Sequence, residues 1–172
     1  MARLSEMLAL RMGFPPDQAA LIYRAAEVHD IGKLAISDSI LNKPSQLTPY
    51  EFEIIKSHTK IGAKMLSAVP GNFGKMARLV AELHHEQWLG GGYWGIPASR
   101  LPIYIPIVTV VDVYVACRSI RPYKAPWSRE QALDYLRAYS GTQFSPEIVD
   151  VFVQMILESD DDILFQTFCP AI

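Results

Sequence analysis

Four histidines and a few acids are the residues of this 172-residue chain that could bind a metal ion. An HDxxK run begins at His29, where Asp30 and Lys33 add a carboxylate and a cation close by. Side chains one residue apart on a helix point about 100° apart, so the His–Asp pair can reach one site from two directions. The alternative is an ordinary helix end, with Gly32 as the residue that terminates the helix.

The remaining histidines and one further acid are predicted to lie on inward faces of separate helices. His58 and His84 fall where apolar residues recur with helical spacing, and His85 follows directly. Asp112 lies among valines, where an isolated carboxylate costs several kcal/mol unless it is paired, protonated or bound to metal. Each residue alone could be a hydrogen-bonded core histidine or an acid paired with arginine. Together they favour one shared metal site.

The ligand types indicate which ions would bind. Imidazole and carboxylate ligands without a thiolate suit iron, manganese or zinc in an open site rather than a structural zinc cage. Six ligands are too many for one tetrahedral ion, so we expect two ions with Asp30 between them. The predicted ligands are His29, Asp30, His58, His84, His85 and Asp112.

Start signals mark the helices that would position these residues. A capping box runs from Thr48 to Glu51, a second begins at Ser128, and Pro146 follows a serine that can open a last helix. No segment alternates as a half-buried strand does. The chain is therefore predicted to be all-α, a single-domain helical bundle over residues 1–172 whose tail at 158–172 has no assigned role.

Three details of this helical pattern are specific enough to test. The helix after Thr48 is predicted to run unbroken, with Phe52, His58 and Met65 facing inward. The helix that carries His84 is predicted to extend to about Trp88. Loops are expected at 33–45, at the flexible glycine-rich segment 90–95 with its two aromatic rings, and at 121–126.

Composition excludes several functional classes. A net charge of −2 gives no overall attraction to nucleic acid or anionic membranes, so we expect neither as a partner. The two cysteines, Cys117 and Cys169, make no disulfide framework, and no signal peptide is present, so a cytoplasmic location is predicted. The longest apolar run, residues 101–117, is too short for a membrane span and contains Asp112.

The motifs and their order carry a family resemblance. The succession HDIGK, SILNKPSQLTPYEFEIIKSHTKIG, LHHEQWLGGGYWG, VVDVYVACRSIRPYK and GTQFSPEIV closely resembles the HD-GYP family, the cyclic di-GMP phosphodiesterase branch of the HD metal-dependent phosphohydrolases. The resemblance covers about residues 15–157. It implies a bundle of helices around a centre of two or three metals, usually iron or manganese, held by the same six ligands. It also implies that Lys33 is the motif lysine and that Tyr93, Arg121 and Lys124 bind substrate.

The chain departs from the family pattern in three places. The usual FDAL and SDRPY segments appear as YVAC at 114–117 and SIRPY at 119–123, which lose two acids. The signature HHExxDGxGYP has Leu89 in place of its Asp and Trp94 in place of its Pro. Family members also carry a Glu and a His on a helix before the HD pair, and both would fall before Met1. We therefore expect at most two metals.

The resemblance implies hydrolysis of cyclic di-GMP to pGpG, with GMP as a further product. Asp30 and Lys33 would serve catalysis, Arg121 and Lys124 would hold the second phosphate, and Tyr93 would stack on a guanine. Two alternatives remain open. One is a degenerate signalling module that binds a nucleotide, or a partner protein through its glycine-rich loop, and the other is hydrolysis of a different phosphoester.

Overall fold

The regular elements of this structure, a computed structural model, are helices in the residues that it describes, 1–119 and 125–159, apart from one bridge between Ser140 and Phe144. The all-α prediction is confirmed. The helices are α1 (Ala2–Arg11), α2 (Pro16–Glu27), α3 (Asp38–Leu41), α4 (Pro49–Lys56), α5 (His58–Leu66), α6 (Gly71–Leu83), α7 (Tyr104–Arg118), α8 (Arg129–Ala138) and α9 (Pro146–Glu158), with short 3₁₀ helices at Ile31–Ala35 and Ala98–Arg100.

The predicted start signals lie where the helices begin. Thr48 and Glu51 form a complete capping box at the start of α4, in which each side chain accepts a hydrogen bond from the other residue's backbone N–H. Ser128 forms the same arrangement with Gln131 at the start of α8. Each box satisfies two N–H groups that would otherwise have no partner in the helix.

Helix α7 forms the centre of the bundle. It contacts α1, α2, α6, α8 and α9, and its residues from Ile105 to Val111 are buried around the whole helix. Burying one Val or Ile side chain contributes about 1.5–3 kcal/mol, so this helix dominates the hydrophobic core. Asp112 and Tyr114 continue the same helix, which places a carboxylate beside the core.

Two predicted element boundaries are wrong. Residues 33–45 contain part of a 3₁₀ helix and α3 instead of only a loop, and the helix after Thr48 breaks at Ser57 into α4 and α5. The Ser57 N–H donates to two successive carbonyls, which tightens the turn and shifts the phase of the inward face. Phe52 is 43% exposed and Met65 is 46% exposed, so the predicted inward position of each is wrong, whereas His58 is buried as predicted.

Both histidine motifs follow a helix end instead of lying within a helix. Helix α2 ends at Glu27, before the HD pair, and α6 ends at Leu83 instead of near Trp88. Gly32 is not a helix terminator, because it lies in the 3₁₀ helix Ile31–Ala35 and does not adopt positive φ. It is buried against α5, where a Cβ would lie 1.9 Å from the carbonyl oxygen of His58.

In the described ranges, no helix is both long and apolar enough to cross a membrane. The cytoplasmic location stays a prediction. So does the extent of the domain over residues 1–172, because the tail from 160 onwards and the segment 120–124 lie outside the described residues.

Replacing Gly32 with alanine should destabilise the fold by about 3 kcal/mol or more. The added Cβ would meet the backbone of His58 and Gly62, which cannot move aside as a flexible side chain can. The control is Gly13→Ala, where φ is +87° but nothing lies within 4 Å, so only about 1–2 kcal/mol of backbone strain is expected. Urea unfolding measures both; equal midpoints would contradict the proposed close packing.

Candidate metal centre

Three helix ends and one helix interior bring the predicted ligands together. The turn after α2 carries His29 and Asp30, α5 begins at His58, and the turn after α6 carries the two adjacent histidines. Asp112 reaches the same place from α7. The ligand atoms form two overlapping groups, and within each group all atoms lie within 4.8 Å of one another. The groups are Asp30, His58, His84 and His85, and His29, His84 and Asp112.

The Asp30 carboxylate lies between two sets of histidines. Its Oδ1 is 3.2 Å from Nε2 of His58 and 3.7 Å from Nε2 of His84. Its Oδ2 is 3.3 Å from Nε2 of His29 and 2.5 Å from Nζ of Lys33. The two oxygens therefore face different partners. This arrangement supports the predicted role of Asp30 between two ions, because a carboxylate can offer one oxygen to each ion. His84 also belongs to both groups of ligand atoms, but its Nε2 has a single lone pair and can bind only one ion.

Three of the histidines have their tautomer set by a helix end. Nδ1 of His29 is 2.7 Å from the carbonyl oxygen of Ala26, and Nδ1 of His58 is 2.6 Å from that of Ile55. Nδ1 of His84 is 3.0 Å from the carbonyl oxygen of Val80. A carbonyl only accepts, so each Nδ1 carries the proton and donates it to the last turn of the preceding helix. In a neutral ring, Nε2 then presents its lone pair, as a metal ligand must.

Three ligand atoms are buried without a hydrogen-bond partner in the part of the chain that the structure describes. They are Oδ1 of Asp30, Nε2 of His58 and Nε2 of His84. A buried polar atom without a partner costs about 1–3 kcal/mol. When both rings are neutral, all three atoms are acceptors that face one another, so they cannot bond to each other. A cation between them would satisfy all three, and these residues therefore fit a metal ion.

Burial and neighbouring charges separate the histidines into two kinds. Burial lowers the pKa of His29, but hydrogen bonds and charges from Asp112 and Asp30 outweigh it and raise that pKa to about 10. Burial lowers the pKa of His84 to about 3, helped by the neighbouring charges of His85 and His29. Burial likewise lowers the pKa of His85 to about 4. At neutral pH the adjacent pair is thus uncharged and ready to bind a metal.

Both carboxylates of the centre are held ionised. Burial opposes the charge on Asp30, but its close contacts with His29 and His58 and the charges of His29 and Lys33 hold its pKa well below its ordinary value. Burial also opposes the charge on Asp112, but the hydrogen bond and charge of His29 lower its pKa below the usual range. His29 is 3.6 Å from Asp112, so this acid has a partner within the centre itself. The predicted need for a partner is met there.

Glu86 is a buried residue of the site that the sequence analysis missed. Its side chain is fully buried, and its two oxygens accept hydrogen bonds from the backbone N–H groups of Trp94 at 2.6 Å and Ile96 at 2.7 Å. These bonds hold the glycine-rich loop instead of leaving it flexible as predicted. Tyr93 is consequently packed against His85, with ring centroids 4.4 Å apart. The sequence did offer a signal for this role, because Glu86 directly follows a histidine pair and precedes a glycine-rich loop whose backbone N–H groups need partners.

Two pockets flank His85. One of ≈ 320 Å³ lies towards the glycine-rich loop and includes Tyr93 in its wall. The other, of ≈ 310 Å³, lies towards α8 and includes Asp112 and Tyr135. Among the described residues, the metal centre therefore has a pocket on each of two sides. Arg121 and Lys124, the predicted phosphate-binding residues, lie outside the described residues.

Exchanging Glu86 for glutamine should loosen the glycine-rich loop. The amide group can accept only one of the two backbone N–H bonds and places its own donors against the other. We expect a loss of about 1.5–3 kcal/mol of stability and faster amide exchange at Trp94 and Ile96. Glu82→Gln is the matched control, because Glu82 pairs only loosely with Arg78 at 3.8 Å on the surface. Unchanged exchange in Glu86→Gln would show that the loop is held by other contacts.

Comparisons with known proteins identify the family and relatives of this chain. The sequence model of the HD domain family matches residues 1–148. The response regulator RpfG of Xanthomonas campestris, a cyclic di-GMP phosphodiesterase, is 38% identical over 155 residues, which cover 90% of this chain and 41% of that protein. A cyclic di-GMP phosphodiesterase of Thermotoga maritima is 42% identical over 159 residues, 92% of this chain and 43% of that protein. The chain thus spans less than half the length of either relative.

A solved structure shares the fold. Bd1817, a HDG"Y"P protein from Bdellovibrio bacteriovorus, superposes with a TM-score of 0.72 over 92% of this chain and 50% of that one, at 18% identity. At 18% identity, this structural similarity supports a shared fold and nothing more. The match of the family's sequence model over most of the chain is the stronger finding. The chain therefore belongs to the HD domain family, and its resemblance to the HD-GYP branch is confirmed.

Proposed function

We propose that the chain is a metal-dependent phosphodiesterase that hydrolyses cyclic di-GMP to pGpG, with GMP as a further product. The names of its relatives support the substrate, and the arrangement of buried ligands supports the need for metal. The observation that carries the proposal is the set of three buried acceptor atoms, on Asp30, His58 and His84, that a single cation between them can satisfy together.

The ligands would hold two divalent ions, iron or manganese. Asp30, His58, His84 and His85 form one side of the centre, and His29, Asp112 and the second oxygen of Asp30 form the other. Bound ions of this kind lower the pKa of water and neutralise charge on a phosphate. Oxygen and imidazole ligands without thiolate suit iron and manganese equally, so the choice between them rests on the resemblance.

The other predicted residues have separate roles around this centre. Lys33 lies at the edge, with its side chain 39% exposed and its Nζ beside Asp30, so it can donate a hydrogen bond to a phosphate oxygen. Tyr93 shields His85 and offers a ring face for a base. We assign Arg121 and Lys124 to the second phosphate on the resemblance alone. Lys33 and Asp30 would thus serve the reacting phosphate, and the other three would bind the rest of the substrate.

The departures from the signature lie in the loop and leave the ligands intact. Leu89 is 65% exposed, and Trp94 replaces the family's proline. The Trp94 indole donates to the carbonyl oxygen of Glu82 at 3.2 Å, and its ring lies under Nζ of Lys60 at 3.7 Å. These contacts give the loop an anchor that proline cannot provide. An anchored loop suits an enzyme and a module that binds a nucleotide or a signalling partner without turnover equally well, so a turnover assay must decide between them.

The test is hydrolysis of cyclic di-GMP by anaerobically purified protein loaded with Fe²⁺ or Mn²⁺. We expect pGpG from the wild type, and at least a roughly 1,000-fold loss in Asp30→Asn together with loss of bound metal, because an amide cannot serve both ions. Asp38→Asn, at an exposed position of α3, is the matched control and should retain both properties. A metal-loaded wild type that binds cyclic di-GMP without cleaving it would favour the signalling module.

Metal binding should strengthen as the pH rises. Without metal, the pKa of His29 is raised to about 10, so a metal must displace its proton at neutral pH. Between pH 6 and 8 we expect the apparent Kd for Mn²⁺ to fall by up to about tenfold per pH unit, with release of about one proton. Calorimetry in buffers of different ionisation enthalpy measures the protons released. A Kd that is the same at both pH values would exclude His29 as a ligand.

A further inference from the structure

Helix α4 presents one face to the pocket of ≈ 320 Å³ on the loop side of the metal centre. Phe52 and Lys56 lie on this face, because residues four apart share one side of a helix. Both line the pocket together with His84 and His85. We call the pair Phe52 and Lys56 the α4 wall. No role in the metal centre explains either residue.

Phe52 has the features of a ligand-binding ring. It is 43% exposed, so the hydrophobic core does not account for its position. Its ring meets Tyr93 edge to face, with centroids 5.7 Å apart and planes at 81°. Tyr93 in turn packs against His85. Aromatic rings therefore extend from the metal centre to the rim of the pocket, which is the arrangement that stacks a nucleobase.

Lys56 supplies a cation whose present contacts are weak. Its side chain is 17% exposed, and Nζ lies 3.2 Å from a carboxylate oxygen of Glu53, a side chain that is itself 63% exposed. Nζ also lies 4.9 Å from the ring centroid of Trp94. An ion pair with an exposed carboxylate and a cation–π contact contribute only about 1 kcal/mol each, so the ammonium group can exchange them for a ligand.

We propose that the α4 wall recognises a purine base of the substrate, with Phe52 stacking on the base and Lys56 selecting guanine over adenine. This inference rests on the proposed function and adds to it the residues that read the base. Guanine presents two adjacent acceptors, N7 and O6, whereas adenine presents the acceptor N7 beside the N6 amino donor. An ammonium group has only donors, so it favours guanine and opposes the adenine amino group.

The first experiment compares KM for cyclic di-GMP in metal-loaded variants. Phe52→Leu keeps an apolar side chain but removes the ring, so KM should rise about 5- to 100-fold with kcat changed by less than about threefold. Phe52→Trp should restore the wild-type KM. The control is Tyr50→Leu, on the same helix and 76% exposed but absent from the pocket wall. Equal KM values for Phe52→Leu and Tyr50→Leu would overturn the stacking role.

The second experiment measures base preference as the ratio of kcat/KM for cyclic di-GMP to that for cyclic di-AMP. Lys56→Gln should lower this ratio about tenfold or more, because an amide can pair with N7 and N6 of adenine. Lys64→Gln, on the exposed side of α5, should leave the ratio unchanged. If Lys56→Gln weakens both substrates equally, the lysine acts through charge alone and the selection of guanine is wrong.

Direct binding of both dinucleotides to the same metal-loaded proteins separates this inference from the proposed function. Binding without hydrolysis would contradict the proposed phosphodiesterase activity. The Kd values of the variants for both dinucleotides would still test whether the α4 wall recognises the base. Hydrolysis with unaltered KM and base preference in the variants would overturn the α4 wall alone. Absence of both binding and hydrolysis in the wild type would overturn both. Thermal unfolding of each variant checks that the exposed substitutions leave the fold intact.

Discussion

The Asp30 carboxylate is surrounded by imidazoles, one from its own turn and two from the ends of α5 and α6, and its two oxygens face different imidazoles. An ionised acid is stable there only if positive charge is close by. Helices α2, α5 and α6 must therefore end or begin within a few ångströms of one another. Gly32 permits this approach, because any Cβ at that position would strike the backbone of His58. The close packing of these helices therefore also fixes the positions of the predicted ligands.

The apolar surroundings strengthen this constraint. Asp112 stands on the central helix α7, most of which is buried, and its charge is stabilised by His29 instead of by solvent. In such surroundings a partner is worth more than it is at the surface, and its loss costs more. The core that stabilises the fold therefore also raises the affinity of the centre for positive charge.

Local signals made much of this structure predictable. Thr48 and Ser128 mark where helices begin, and the apolar run before Asp112 indicates that α7 is buried. The six ligand positions could be found because histidines and an acid at inward positions are costly without a function. Their roles as ligands stay a prediction, although the structure brings them together.

What could not be predicted depends on contacts between distant segments. The helix breaks at Ser57 although no proline or glycine lies there, and Phe52 is exposed where the unbroken helix predicted it to be buried. The role of Gly32 depends on α5, which lies about thirty residues later in the chain, whereas its neighbours in sequence suggest a helix terminator. Glu86 accepts hydrogen bonds from N–H groups eight and ten residues away. Helical spacing covers only three or four residues, so it could not predict this role.

The hydrogen bonds from Nδ1 of His29, His58 and His84 have a consequence for how the protein acquires its metal. Each ring closes the end of the helix just before it, so the rings are oriented by local structure before any ion arrives. Metal uptake is then a docking event on a folded protein and not a folding event. Such a site can lose and regain its ions without unfolding. The ion that it carries in a cell would follow the supply of that cell more than any rearrangement of the chain.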